Sequence, residues 1–311
     1  MSTLNDRFVT LKANLEPNET FAGLIQQRHN AVRSLVQSRN PKVIDTKLIG
    51  SVRRKTRIQP RPEDKFDIDI LVIMGSFDRW LPPGTPGAIT PQIALNDLHR
   101  TIAESDRYGS MSPHQAPPTI AMTYADKTTV EFVPAYIDRI GASPNGIQHT
   151  PVGRAYWVPK NGSWELADYD YEADYISAQN DASDGWLIPT IKMIKAIKRN
   201  YFPAMRSFHL DILATALVPA LVEIKRQQRL GISYPDLLSD FFGYAPRFIS
   251  SSVKIPGSHS PAVPVTQEEI SSLTATFQQI KKHIDAFNAV PQESKKIEGW
   301  KLLFGDPFPS S

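Results

Sequence analysis

The chain contains no cysteine. That excludes disulfides, zinc–thiolate sites and thiol nucleophiles. Net charge is also scarce: 35 Lys and Arg stand against 32 Asp and Glu, for a formal +3. A protein that coats nucleic acid carries a broad cationic surface, so no stable nucleic-acid complex is expected. A locally basic pocket for polyphosphate is compatible with the same balance. No apolar run approaches the about 18 residues of a membrane span, and the opening MSTLNDRFVTLK lacks the basic-then-apolar order of a signal peptide. The expectation is a soluble cytoplasmic protein with no membrane partner. Internal repeats and extended low-complexity tracts are missing too. What is present is ordinary: 311 residues, 41% apolar and 22% charged, enough for one large or two ordinary domains, each with a real core.

The informative stretch is residues 48–74, LIGSVRRKTRIQPRPEDKFDIDILVIM. A short apolar strand over 43–50 runs into Gly50-Ser51, and a second strand over 66–74 carries Asp67 and Asp69. Residues i and i+2 of a strand share a face, so the two carboxylates point together while Phe66, Ile68 and Ile70 point away. Adjacent carboxylates repel, and a divalent cation supplies the missing counter-charge. Mg²⁺ favours one or two carboxylates plus substrate phosphates. Gly50 lets backbone approach a phosphate, and the Ser51 hydroxyl and neighbouring N–H groups can donate to it. The competing reading, solvated acids on an edge strand, is disfavoured by the buried run Leu71-Val72-Ile73. The intervening basic, proline-punctuated segment 53–65 reads as a loop or ragged hairpin.

Around this stretch, residues 20–38 read as an amphipathic helix capped by Asn18 or Thr20, with His29 at a surface or interface. A proline-rich loop over 77–91 precedes a helix over 90–105. Strands over 119–124 and 129–137 follow, the second holding Glu131 between apolar neighbours. Beside the Asp67/Asp69 strand, Glu131 would be a third acid of the same site; alone, it would be a residue on a half-exposed strand. Residues 141–181 are turn-rich and aromatic, and Tyr156, Trp157 and Trp164 read mainly as packing, with base stacking as the competing role. From Gly185 the pattern is helical: 186–201 with Lys192, Lys195 and Lys198, then 207–227, 234–248, 267–289 and 295–304, with a proline-rich loop over 255–265. His209 reads as a packed helix residue. The order is a mixed α/β half followed by an all-helical half.

The ordered set IGSVRRKTRI, DIDILV, VEFVPAY, GWLIPTIKMIKAIKRN, RSFHLDIL and WKLLFGDPFP resembles the cGAS/DncV-like nucleotidyltransferases, bacterial cyclic-oligonucleotide synthases of the DNA polymerase beta-like superfamily. The resemblance implies an α/β (α+β) two-lobed nucleotidyltransferase fold. Residues 1–165 would form the mixed-sheet catalytic lobe with a long N-terminal helix, and residues 166–311 the all-helical lobe completing a nucleotide cleft. It implies two Mg²⁺ ions, with Mn²⁺ as a substitute, held by Asp67, Asp69 and Glu131. Gly50, Ser51, Lys195 and Ser207 would hold the triphosphate. Substrates would be nucleoside triphosphates, ATP among them, joined into a cyclic di- or trinucleotide that addresses a downstream effector in anti-phage signalling. The competing functions are a linear oligoadenylate or RNA-tailing enzyme of the same fold and a non-catalytic nucleotide sensor. Two departures stand out: Glu131 where aspartate is usual, and Lys55 where glycine is frequent.

Overall fold

The computed structural model describes residues 3–76, 88–138, 154–249, 254–256 and 266–309. Much of the expected loops over 77–91 and 255–265, and of the turn-rich region after 141, lies outside them. In chain order the helices are α1 (Leu4–Leu15), α2 (Glu19–Arg39), α3 (Gly50–Arg53), α4 (Pro91–Ala103), α5 (Tyr169–Ala182), α6 (Leu187–Tyr201), α7 (Ser207–Gln227), α8 (Tyr234–Tyr244), α9 (Pro246–Ile249), α10 (Gln267–Ala289) and α11 (Glu293–Phe304). The strands are β1 (Asp45–Leu48), β2 (Phe66–Ser76), β3 (His114–Ala116), β4 (Thr119–Thr123), β5 (Thr128–Ile137), β6 (Tyr156–Lys160) and β7 (Ser163–Ala167).

These elements form two compact units. The sheet unit comprises Asn18–Arg53 and Pro60–Glu172; the helical unit comprises Met1–Pro17, Arg54–Gln59 and Ala173–Ser311. The expected division at residue 165 therefore shifts to 172/173, and two short segments from the first half belong with the helices. The reason is apolar burial. Phe8, Leu11 and Leu15 of α1, and Ile58, are buried in the same core as Leu210, Phe241, Phe277 and Trp300.

In the sheet unit seven strands run β1–β2–β5–β4–β3, with β6 pairing to β5 and β7 to β6. Only β2 and β5 are parallel among the described pairs. Each face of β2 meets apolar neighbours, which explains its near-continuous hydrophobic run. Ile68, Ile70 and Val72 join the core with Val32 and Val36 of α2 and Leu95 and Leu98 of α4. Leu71 and Ile73 join a smaller cluster with Ile49, Val133, Ala135 and Tyr156. The α2 helix starts where expected because the Asn18 side chain accepts from the Phe21 N–H. His29 differs from expectation: it is 6% exposed, with Nε2 3.0 Å from Thr46 Oγ1 on β1.

Three further differences have local causes. The β1 strand stops at Leu48, two residues early, because Gly50 takes φ +66° and the chain turns into α3. The unforeseen α1 is held by a Thr3/Asp6 capping box and by apolar residues at i, i+3 and i+7. Within the turn-rich aromatic region, β6, β7 and α5 are regular elements, β6 and β7 forming a hairpin with Asn161 and Gly162 at positive φ. By contrast α7 and α10 have the expected bounds. Among described helices, α7 is long and apolar enough to cross a membrane, contrary to the expectation that no stretch approaches that length. Its Leu210, Leu213, Leu217, Val218 and Val222 are buried in the helical core instead.

The aromatic centre of the helical unit is Phe8, whose ring stands edge-on to Trp300 at 5.0 Å and to Phe308 at 5.4 Å. Phe8→Ala is expected to cost about 3–5 kcal/mol, a lost transfer term plus a cavity. Urea denaturation measures it; a loss below about 1 kcal/mol would remove α1 from the core it is assigned to here.

Candidate active site

Asp67 and Asp69 lie on the β2 face that continues into Leu71 and Ile73, as strand alternation requires. On β5, Glu131 is the register partner of Asp69, and Thr129 that of Asp67. Parallel pairing thus sets Asp69 and Glu131 side by side on one sheet face. Their neighbours Ile68, Ile70, Val130 and Phe132 point into the opposite core. The consequence is electrostatic. Burial, then the charges of Asp69 and Asp67, push the Glu131 carboxyl up to about 7. Asp67 itself is exposed and Asp69 intermediate.

The Gly50-Ser51 turn closes on the same carboxylates. The Ile49 N–H donates to the Asp69 carbonyl at 3.0 Å. Gly50, at φ +66°, lies so close to the Asp69 carboxylate that a Cβ there would collide with it. Glycine is needed here twice over, for its backbone conformation and for that approach. Ser51 follows at the start of α3, and Arg53 ends α3 by donating from Nε to Asp170 Oδ1 at 3.0 Å. Lys47 Nζ donates to the other oxygen of Asp170, also at 3.0 Å. Burial pushes the Asp170 carboxyl up, but Lys47 and Arg53 outweigh it and hold it below its usual value. This bridge ties both ends of the turn to the start of α5.

The donor set suits a hard divalent cation: oxygen atoms only, including a carboxyl that burial and its like-charged neighbours raise to about 7. Among the described residues no group of three or more His, Asp or Glu is gathered as a ready metal cage. A cation that takes one or two carboxylates together with substrate phosphates does not require one. Asp67, Asp69 and Glu131 are the residues that would hold it.

The lysine helix is placed differently from expectation. Lys195 is 5% exposed in the helical unit and paired with Asp211 Oδ1 at 2.6 Å. It also donates to the Thr56 carbonyl and hydroxyl, both at 3.0 Å. Asp211 Oδ2 accepts from Thr56 Oγ1 at 2.8 Å and from Arg54 Nη2 at 3.3 Å. Burial lowers the Lys195 ammonium to about 8 despite the pull of Asp211. Lys195 is thus spent on anchoring residues 54–59. Lys192 pairs with Glu16, and Lys198 donates to the Pro203 carbonyl at 3.0 Å. Ser207 is exposed as the first residue of α7. Sequence reasoning passed over Asp211, although it stands four residues after Ser207, on the same helix face. Lys55, at the position where the family favours glycine, adopts φ +59°. The aromatic residues pack: Tyr156 is 4% exposed, Trp157 Nε1 donates to Asp138, and Trp164 Nε1 donates to the Ile89 carbonyl.

Two expectations follow. Removing one partner of the buried pair, Lys195→Ala, should cost about 3–5 kcal/mol in denaturant unfolding. Lys198→Ala should cost about 1 kcal/mol or less. Glu131 binds its proton more tightly folded, near 7, than at its ordinary 4.5. In chelator, stability should therefore fall as pH rises between those values. Glu131→Gln should match the parent melting temperature at acid pH and exceed it above pH 7. Equal melting temperatures throughout would contradict the carboxylate repulsion.

Residues 1–149 match the family profile described as Second Messenger Oligonucleotide or Dinucleotide Synthetase domain, abbreviated SMODS. No curated protein sequence matches. Solved structures are similar over nearly the whole chain. CdnC of E. coli MS115-1 with ATP superposes at TM-score 0.68 with 13% identity, covering 98% of this chain and 99% of that one. The CD-NTase CdnG of Bradyrhizobium diazoefficiens in complex with GTP gives 0.64 and 12%, covering 97% and 95%. The Vibrio cholerae cyclic AMP-GMP synthase DncV with its linear intermediate gives 0.62 and 12%, covering 85% and 69%. The chain therefore has the fold of these solved structures, and its residues 1–149 are similar to the second-messenger oligonucleotide or dinucleotide synthetase domain.

Proposed function

We propose that the protein is a metal-dependent nucleotidyltransferase that joins nucleoside triphosphates, ATP among them, into a cyclic di- or trinucleotide. The observation that carries this reading is the Asp69–Glu131 register pair facing the Gly50-Ser51 turn. The SMODS match over residues 1–149 and the nucleotides bound by CdnC, CdnG and DncV support it. In each transfer a ribose hydroxyl oxygen bonds to the α-phosphorus of a triphosphate. The bond from that phosphorus to the bridging oxygen breaks, pyrophosphate leaves, and the hydroxyl proton is released to solvent. A final transfer within the linear intermediate closes the ring.

Mg²⁺ or Mn²⁺, when bound, neutralises phosphate charge and lowers the pKa of the attacking hydroxyl. Asp67, Asp69 and Glu131 are the residues that would hold it. Gly50 and Ser51 present backbone N–H groups and a hydroxyl to the phosphates. The extra methylene of Glu131, relative to the aspartate usual in the family, sets its carboxylate further out from β5. Ser207 and Lys195 are the further candidates for triphosphate contacts, and in this structure the Lys195 ammonium pairs with Asp211 and Thr56. The product acts in the cytoplasm as a second messenger on a cyclic-nucleotide-responsive effector, in anti-phage defence of the CBASS type.

Incubation with all four nucleoside triphosphates and Mg²⁺ or Mn²⁺, followed by mass spectrometry, tests this. The expected result is a cyclic product, reduced about 100-fold or more in Asp67→Ala and Asp69→Ala. A linear product alone would overturn ring closure. No product with either metal would overturn the enzymatic reading.

A further inference from the structure

Burial, charge and an unfilled space come together at the start of α7. In the helical unit a cavity of about 420 Å³ lies between the α6–α7 corner and α10. That is within the size range of small-molecule sites. Phe202, Met205 and Leu273 form its apolar walls, and Arg206, Glu268 and Glu269 its charged lining. His209 lines it as well, although it is only 3% exposed. Among the described residues His209 forms no hydrogen bond, and neither ring nitrogen is among the fully buried polar atoms left without a partner, so the imidazole edge is open to solvent or to a ligand. Burial alone lowers its pKa. The neutral ring therefore offers one N–H donor and one acceptor nitrogen.

This cavity and the candidate active site have no residue in common. On α7 the residues around His209 face elsewhere: the Arg54 guanidinium lies over the Phe208 ring at 4.7 Å, and Asp211 bonds Thr56. Successive helix residues are about 100° apart, so His209 points off the Phe208–Asp211 face. The charges also differ from those of a triphosphate site. One guanidinium stands against two carboxylates, and Glu269 Oε2 is already occupied by the Thr266 N–H at 2.8 Å and hydroxyl at 3.1 Å. A polyphosphate would meet net negative charge here.

We propose that this cavity is a second ligand site that takes a neutral nucleobase or nucleoside bearing an exocyclic amino group. The flat ring fits between Phe202, Met205 and Leu273. A base edge presents donor and acceptor side by side, which a neutral imidazole can match. The amino group donates to the Glu268 carboxylate, and a ring acceptor or carbonyl meets Arg206. Adenosine, cytidine and guanosine satisfy this pattern; uridine lacks the amino donor.

The test uses the full chain, saturated with a non-hydrolysable triphosphate analogue and Mg²⁺ to occupy the proposed catalytic site. Adenosine, cytidine, guanosine and uridine are titrated separately by calorimetry and thermal shift. At least one amino-bearing nucleoside should bind saturably and more tightly than uridine. Leu273→Trp, which fills the cavity, and Ser272→Arg, an exposed change at its lining, should each weaken binding about tenfold or more. Asp69→Asn should leave it unchanged, so loss of catalysis and loss of this site are separable. No saturable binding by any nucleoside, equal binding of uridine, or binding that survives both cavity variants would overturn the proposal.

Discussion

The parallel pairing of β2 with β5 is the constraint on which the rest of the structure depends. It places Glu131 opposite Asp69, and that register is enforced by the hydrophobic pattern on the two faces. Ile68 and Ile70 share one core with Val130 and Phe132; Leu71 and Ile73 share another with Val133 and Ala135. A one-residue slip would carry Glu131 into the core beneath α2 and α4 and bring Val130 beside the acids. Apolar burial on both sides therefore sustains an arrangement that the carboxylates themselves oppose. A carboxyl held near 7 by burial and like charge is the signature of that opposition. A cation bound beside these carboxylates would relieve it, converting stored repulsion into affinity.

The connection from β1 to β2 serves both compact units. Its first part, Ile49 to Arg53, is fixed in the sheet unit by the Ile49 backbone bond to Asp69 and by the Asp170 bridge. Its second part, Arg54 to Gln59, is fixed in the helical unit. Lys195, Asp211 and Arg199 satisfy its polar groups there, and Ile58 enters the core. The Gly50-Ser51 turn is thus covalently continuous with a segment clamped by a buried charge network. A buried pair of this kind adds little net stability compared with an apolar replacement, but losing one partner is costly. That asymmetry makes the network a fixed anchor for residues 54–59.

Legibility followed the range over which each signal acts. The Asp67/Asp69 face could be read from strand alternation, and α7 and α10 from apolar periodicity, because those signals are local. The proximity of Glu131 could be stated only as a condition, since strand order and register are long-range properties. The partners of Lys195 are hidden in the sequence for the same reason. A lysine flanked by Ile194 and Ala196 looks like one of three equivalent cations until Asp211 and Thr56 are brought to it by packing. The α1 helix escaped notice because its apolar residues are few, although the Thr3/Asp6 box and the Phe8, Leu11, Leu15 spacing were present. The β6–β7 hairpin was obscured by aromatic residues that also suit loops and base stacking.

The most direct test of the central claim is the protonation of Glu131 itself. Carboxyl ¹³C NMR of the metal-free protein, assigned by difference with Glu131→Gln, should give a midpoint near 7. Addition of Mg²⁺ with a non-hydrolysable ATP analogue should bring it down to the ordinary glutamate value or below. An ordinary midpoint without metal, or a midpoint that Mg²⁺ and the analogue leave in place, would contradict the account.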